Sequence, residues 1–345
     1  MRRTTPIRRR ALALIVALLA AAAVFVGAPA SPAAAIAAAP TPTPDEGGSK
    51  NLRAALEAAA KGHIKAKAKL DNSKKRQLEL TLKLQKVEAR LVTLTAQVGE
   101  VAAESYRLGR LTAVSMLLNS ASPEAFLDRA AGLDLMAQRD DKQLRALAEA
   151  REQAARAKAA IDNEVAEQQK QLAVMAKKKR DAERALAAVG GRSSGGYVSV
   201  NSPLAKPAPR NSDGSWPSES CTVNDPTTSG CITPRTLHAY NEARLAGFKR
   251  YTSCYRSGSS GEHPKGRACD FAAATGGFEN VSATGDDRTY GNNLAAFFIK
   301  NASRLGVLYV IWYRQIWMPG TGWRSYSGGG SPAADHTNHV HLSMY

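Results

Sequence analysis

Two segments near the C-terminus hold the side chains best suited to chemistry. The first reads Tyr255-Arg256-Ser257-Gly258-Ser259-Ser260-Gly261-Glu262-His263-Pro264-Lys265-Gly266-Arg267-Ala268-Cys269-Asp270-Phe271, the second Asp335-His336-Thr337-Asn338-His339-Val340-His341-Leu342. The chain has 6 histidines, and four of them fall in these two runs. Imidazole and carboxylate are ordinary ligands of zinc and similar divalent metals. His263 and Asp270 flank a glycine-containing turn, so they can face each other if the turn leads into a strand bearing Asp270. His339 and His341 are one residue apart, and on a strand both rings leave the same face. Two imidazoles and one carboxylate leave a tetrahedral ion one open position, which is the catalytic rather than the structural plan.

A lone His-x-His is a weak signal, but joined to His263-Pro264-Lys265-Gly266-Arg267-Ala268-Cys269-Asp270 the pattern gains specificity. It resembles the zinc peptidase superfamily that contains D-Ala-D-Ala carboxypeptidases, lysostaphin-like murein endopeptidases and the hedgehog signalling domain. The resemblance implies Zn2+ held by His263, Asp270 and His341, with His339 beside the metal as an acid/base or transition-state group. It also matches His336 to a further active-site histidine of some endopeptidase members. Arg256 corresponds to an arginine near the substrate carbonyl, where a guanidinium can stabilise a developing oxyanion; the plainer alternative is a surface arginine. Many carboxypeptidase members carry Glu where this chain has Asn338, which disfavours that subtype and leaves the general base open between His339, His336 and Glu262. Asp335 either orients one of the neighbouring histidines or bonds its own loop. The implied reaction is hydrolysis of an amide bond in peptidoglycan stem peptides. The superfamily also has members that keep the metal site without turnover, so a non-catalytic wall-binding or hydrolase-regulating protein is the rival.

These residues need a rigid carrier, and the sequence supplies one after residue 213. All four Trp, all 4 Cys and five of the histidines lie there. Expected elements are a helix over 234–247, strands over 250–256 and into 269–272, a helix over 291–305, strands over 307–316 and a last strand over 339–344. Without a regular βαβ alternation, this is an α+β domain with an antiparallel sheet. Trp312 and Trp317 suit a core better than a binding groove. The glycine-rich run 325–334 abuts the histidine cluster and suits a gating lid. In an oxidising compartment the four cysteines form two disulfides, with Cys221–Cys231 and Cys254–Cys269 favoured because both close short loops. A structural zinc site is the competing use, although no C-x-x-C pair is present.

Ahead of this domain, residues 50–189 are Ala-, Leu-, Lys- and Glu-rich with Pro123 as their one proline. Leu80, Leu84, Val87, Leu91, Leu94, Val98 and Val101 step by four and three, the seam of a coiled coil. A weaker seam runs Ala154, Ile161, Val165, Leu172 and Met175. Two such seams joined by a short break predict a long antiparallel hairpin, with Ser122 capping and Pro123 opening a short helix to about Leu135 near its tip. The run Tyr106-Arg107-Leu108-Gly109-Arg110-Leu111 and the stretch 117–129 resemble the coiled coils of secreted actinobacterial cell-separation hydrolases. That resemblance implies a part that restrains the hydrolase or docks it on a membrane-embedded division complex; an inert spacer is the alternative. Residues 36–49 and 190–213 read as flexible tethers.

The chain opens with Arg2, Arg3, Arg8, Arg9 and Arg10, an apolar run from Ala11 to Ala28 and small residues to about 35. That is a secretory signal peptide over residues 1–35, with an uncleaved membrane anchor as the other possibility. The formal net charge is +17 and remains strongly basic without those arginines, so the protein suits an anionic polymer of the cell wall. Export and the lack of an aromatic-and-basic recognition motif exclude nucleic acid. Solvated lysines along the helices account for much of the excess. The sequence carries no signal for an oligomeric state.

Overall fold

The computed structural model describes residue 46, residues 48–189 and residues 201–345; the expected signal peptide and residues 190–200 lie outside these. The described chain is mixed helix and sheet, with long helices and antiparallel sheets. Helix α1 spans Lys50–Leu108, α2 Arg110–Leu118 and α3 Pro123–Ala187. Ser49 caps α1 by accepting from the Leu52 amide. Ser122 caps α3 by accepting from the Ala125 amide, with Pro123 in the first turn. The expected short helix at 123–135 is therefore the start of α3, and the separate short element at the tip is α2.

α1 and α3 pack antiparallel, with Leu94 against Leu147 and Ala150. Arg76 pairs with Glu164 at 2.7 Å. The first seam faces the partner, with Val87 and Leu94 buried. The second seam slips: Leu172 is 53% exposed while Gln171 is buried. The observed seam keeps the seven-residue spacing in another register: Leu147, Ala150, Ala154 and Ala157 step by three and four, and Gln171 lies two heptads beyond Ala157.

In the C-terminal part, β1 (Val223–Asn224) pairs with β2 (Cys231–Ile232), and α4 (Pro234–Leu245) follows. Next come β3 (Thr252–Ser253), β4 (Ala268–Ala272), α5 (Gly285–Lys300), α6 (Ala302–Leu305), β5 (Val307–Trp312), β6 (Gln315–Met318), β7 (Gly322–Ser325) and β8 (His339–Met344). The six strands β3 to β8 form one antiparallel sheet in the order β3-β4-β8-β5-β6-β7. Alternation divides its residues between two faces. Phe271, Val340, Leu342, Met344, Val310 and Trp312 pack on one face with α4 and α5 residues such as Ala239, Leu294 and Phe298. Trp312 is fully buried and donates its indole N–H to Asn292 Oδ1 at 2.8 Å, so it is a core residue. On the opposite face Tyr309, Ile311, Ile316 and Met318 pack against Leu52, Leu56 and Ala59 of α1 and Ala182 and Leu186 of α3. The base of the hairpin is thus seated on the sheet.

Both disulfides form, Cys221–Cys231 and Cys254–Cys269. They fit an oxidising, extracytoplasmic compartment. Among the described residues, no helix is long and apolar enough to cross a membrane.

The two expected tethers need correction where they are described. Residues 201–213 run along the domain: Asn301 Oδ1 accepts from the Ala205 amide at 2.9 Å and Glu242 from the Lys206 amide at 2.7 Å, and Ala205 and Ala208 are buried. In the other, Glu46 is only 1% exposed. Polar loop composition hid both, because their anchors are single contacts to residues far away in sequence.

Candidate functional site

The face that carries the hairpin also carries the histidines. β4 and β8 are antiparallel neighbours with Asp270 directly opposite His341 and Ala272 opposite His339. Directly opposed residues share a face with Cβ atoms about 5 Å apart. His263 reaches the same spot from a 3-10 turn, His263–Lys265, that runs into β4. His341 Nδ1 lies 2.8 Å from Asp270 Oδ1, and His263 Nε2 lies 3.2 Å from both Asp270 Oδ2 and His341 Nδ1. All three side chains are buried. For comparison, a tetrahedral ion with bonds of about 2.0–2.1 Å separates its ligand atoms by roughly 3.3–3.4 Å.

The far nitrogen of each ring is held. Nδ1 of His263 bonds the Cys254 carbonyl, and Nε2 of His341 bonds Ser343 Oγ at 2.7 Å. This pattern is usual for metal-binding imidazoles, whose second nitrogen fixes the ring. The Cys254–Cys269 disulfide ties that carbonyl to the neighbour of Asp270.

His339 is buried, and its Nδ1 sits 2.8 Å from Asn338 Oδ1. Among the described residues its Nε2 has no hydrogen-bond partner, and it lies 3.6 Å from Asp270 Oδ1. Burial pushes His339 down to about 4. His336 packs at 4.7 Å from the His339 ring and 5.6 Å from the His341 ring, measured between centroids. Burial, and then the neighbouring imidazoles, hold it well below the usual range. Both rings are therefore neutral near pH 7. His336 also has φ 52, a left-handed backbone uncommon outside glycine and found preferentially at functional sites. Burial works against ionising Asp270, yet the surrounding imidazoles and their hydrogen bonds hold it well below the ordinary carboxylate range.

The other candidates have partners of their own. Arg256 Nη1 lies 2.8 Å from Asp270 Oδ2, so its guanidinium pairs with that carboxylate. Glu262 is buried with Lys265 at 2.9 Å and Arg267 as ion partners, which leaves it an anchor rather than a base at the cluster. Asp335 orients no histidine. It accepts from Arg314 Nε at 3.0 Å and the Gly328 and Gly330 amides at 2.9 and 3.3 Å, tying down the run expected as a lid.

No motif points to Glu46, whose carboxylate joins His263 and His341 in a buried group with ligand atoms all within 4.8 Å of one another. This Glu-His-His group could hold a metal ion. Tyr309 carries no sequence signal either: its ring stacks on His341 at 5.7 Å, and its hydroxyl donates to Glu46 Oε2 at 2.6 Å. Ser343 continues the His-x-His alternation by one further step, a signal that the sequence does offer.

Residues 228–337 match a family described as VldE, C-terminal domain. The matched stretch is a minority of the chain; it contains Arg256, His263, Asp270 and His336 and stops before His339 and His341. No curated protein matches the chain.

Proposed function

We propose that this chain is an exported zinc-dependent peptidase that hydrolyses an amide bond in peptidoglycan stem peptides or cross-links. One observation carries the reading: two imidazoles and a carboxylate, distant in sequence, meet on one buried sheet face at 2.8–3.2 Å. A nitrogen-nitrogen-oxygen donor set suits zinc among the common divalent ions. His263, Asp270 and His341 would hold it through Nε2, a carboxylate oxygen and Nδ1. Bound there, zinc would supply a Lewis acid that polarises a substrate carbonyl and makes water more acidic.

The chain's own groups supply the remaining roles. His339, neutral and with Nε2 unbonded, is positioned to take a proton and pass it to the leaving amine. His336 stands behind it as the next imidazole. Arg256 fixes Asp270 and stands at the edge of the cluster, where an oxyanion could share it. The basic surface favours an anionic wall polymer, and the hairpin serves as a regulatory or docking part, with a membrane-embedded division complex as its partner.

The test is release of muropeptides from purified sacculi by the full chain, identified by mass spectrometry, together with zinc content. The parent holds zinc and cleaves; His341→Ala loses both, and added zinc rescues only the parent. Zinc-loaded protein that releases nothing under any condition supports the second reading, a non-catalytic wall-binding or regulatory protein. The contact that favours it is Glu46, which brings a further carboxylate to the histidines.

A further inference from the structure

We infer that the cleft between α1 and the segment 213–219 is a binding site for a phosphodiester-linked polyol chain, an anionic polymer gripped by Lys65 and Lys69. The inference rests on the basic-surface reading above and gives that attraction one place. The cleft measures about 460 Å³. On the α1 side it is lined by Lys61, Lys65 and Lys69, with Ile64 and Ala68 beside them. On the other side stand Ser215, Trp216, Ser218 and Tyr345, and Arg267 lines it as well.

Residues four apart on a helix are neighbours, about 6 Å apart along its axis, so the three lysines form one row. Like charges at that spacing work against the helix, and α1 offers them little relief, since residues 58–70 contain no Asp or Glu. Lys61 is satisfied by Glu57 at 2.5 Å, and Asp71, the next acid, is taken by Lys67 at 2.9 Å. Glu57 also holds Arg267 at 2.8 Å and Lys265 at 3.2 Å, both in the loop between His263 and Asp270. The acids across the cleft are committed too: Asp213 accepts from the Ser215 amide at 2.9 Å, and Glu219 pairs with Arg235 at 3.2 Å. Lys65 and Lys69 are left as a local excess of positive charge, which a polyanion would balance.

The side they face is preformed. The turn leading into it is closed by the Asn211 amide donating to the Ser215 carbonyl at 3.0 Å and the Gly214 amide to the Asn211 carbonyl at 2.8 Å. Trp216 is held by the guanidinium of Arg210, 3.7 Å from its ring centroid, and by that of Arg235 at 4.9 Å. Two ammonium groups beside serine hydroxyls and aromatic rings suit a chain that alternates phosphate with hydroxyl-bearing carbon units: the lysines meet phosphate as point charges, the hydroxyls meet hydroxyls, and the rings cover carbon. A recess of this size admits an extended single chain and turns away the flat surface of a bilayer. Because Arg267 lines the same cleft, a polymer seated there runs alongside the loop that carries His263 and Asp270.

The experiment titrates the full chain with a glycerol-phosphate oligomer of defined length, by calorimetry over a range of salt concentration. Lys65→Gln with Lys69→Gln should weaken binding by about tenfold or more and flatten the slope of log K against log salt by about one to two units, as the loss of two phosphate contacts requires. Lys83→Gln with Lys86→Gln removes the same charge from an exposed stretch of α1 beyond the cleft, and screening should keep its effect below about twofold. Ala68→Phe, which fills the cleft at constant charge, should also weaken binding, with circular dichroism showing that each variant keeps its helices. Equal losses in the two lysine pairs overturn the cleft and leave the basic-surface reading standing, since the attraction would then follow net charge alone. Undiminished binding by Ala68→Phe overturns the recessed site, and tighter binding of the parent to anionic phospholipid vesicles than to the oligomer overturns the polymer as its occupant. No binding by the parent overturns the cleft and the basic-surface reading together. Binding is read without turnover, so each of these outcomes stands apart from the peptidase.

Discussion

Nε2 of His263 stands 3.2 Å from Nδ1 of His341 across a sequence separation of 78 residues. Burying two imidazoles edge to edge beside a carboxylate is costly unless a proton or a cation is shared among them. The fold does not relieve this by spacing them apart; it fixes both rings from behind, one on a carbonyl and one on a hydroxyl. That rigidity suits a cation site, and it makes the supporting groups testable apart from the ligands.

Ser343→Ala is expected to weaken zinc affinity by about 10- to 100-fold, the usual effect of removing a hydrogen bond behind a ligating imidazole. Competition with a chromophoric chelator measures it. Ser343→Thr, which restores the hydroxyl, should recover most of the loss. Unchanged affinity in Ser343→Ala, with the fold intact by circular dichroism, would show that Ser343 does not position His341.

The two disulfides should separate in their effects. Cys254–Cys269 closes a sequence separation of 15, and replacing both cysteines by Ala should cost about 3 kcal/mol of stability. The Cys221–Cys231 pair closes a separation of 10 and should cost a similar amount. Metal affinity should fall in the first variant only, because Cys254 supplies the carbonyl behind His263 and Cys269 adjoins Asp270. Denaturant unfolding and metal titration on the same preparations give both numbers; equal affinities in the two variants would count against this role.

The parts of the site that sequence revealed are those with a local rule behind them. His339 and His341 share a face by strand alternation, and the turn from His263 to Asp270 announces itself through Gly266. Both disulfides were legible from the short loops they close. Glu46 was not, because Thr-Pro-Thr-Pro-Asp-Glu-Gly-Gly is loop chemistry, and nothing in it names a target more than 200 residues away. The partner of Arg256 is hidden for a related reason: its type and neighbourhood suit an oxyanion, and only tertiary structure shows that its guanidinium also pairs with Asp270. In the hairpin, the apolar spacing predicts the helices and their pairing, but the buried register of α3 runs through small and polar residues such as Ala150, Ala157 and Gln171, which carry no apolar signal.

Gly266→Ala should be strongly destabilising. The residue has φ +67, and a Cβ would fall 2.5 Å from Cys221 Sγ, 2.8 Å from Ile232 Cα and 2.9 Å from the Cys231 carbonyl. Two of these three are backbone atoms that cannot rotate away, so strain adds to overlap, and a loss of about 2–4 kcal/mol is expected. Since the residue lies between His263 and Asp270, metal affinity should drop together with stability. A thermal melt indistinguishable from the parent would mean that the turn can relax despite its close packing on Cys231 and Ile232.

Glu57→Ala tests the grip of the hairpin base on the ligand loop, and its pH dependence has a definite sign. Burial disfavours the Glu57 charge, but the bond from Lys61 and the charges of Lys61, Lys265 and Arg267 outweigh it and bring the carboxyl from 4.5 down to about 2. A carboxyl depressed on folding contributes stability that is fully present above its unfolded value and is lost as pH falls toward its folded one. The contribution should therefore be constant from pH 7 to about pH 5 and fade between pH 4.5 and about 2. Solvent reaches part of this cluster and screens it, so the stability gap between parent and Glu57→Ala should be about 1 kcal/mol at pH 6. Denaturant unfolding of both proteins at pH 6, 4 and 2.5 measures the gap. It should narrow stepwise as Glu57 protonates, and a gap that holds its size at pH 2.5 would mean that packing of the side chain, rather than its charge, secures α1 to the sheet.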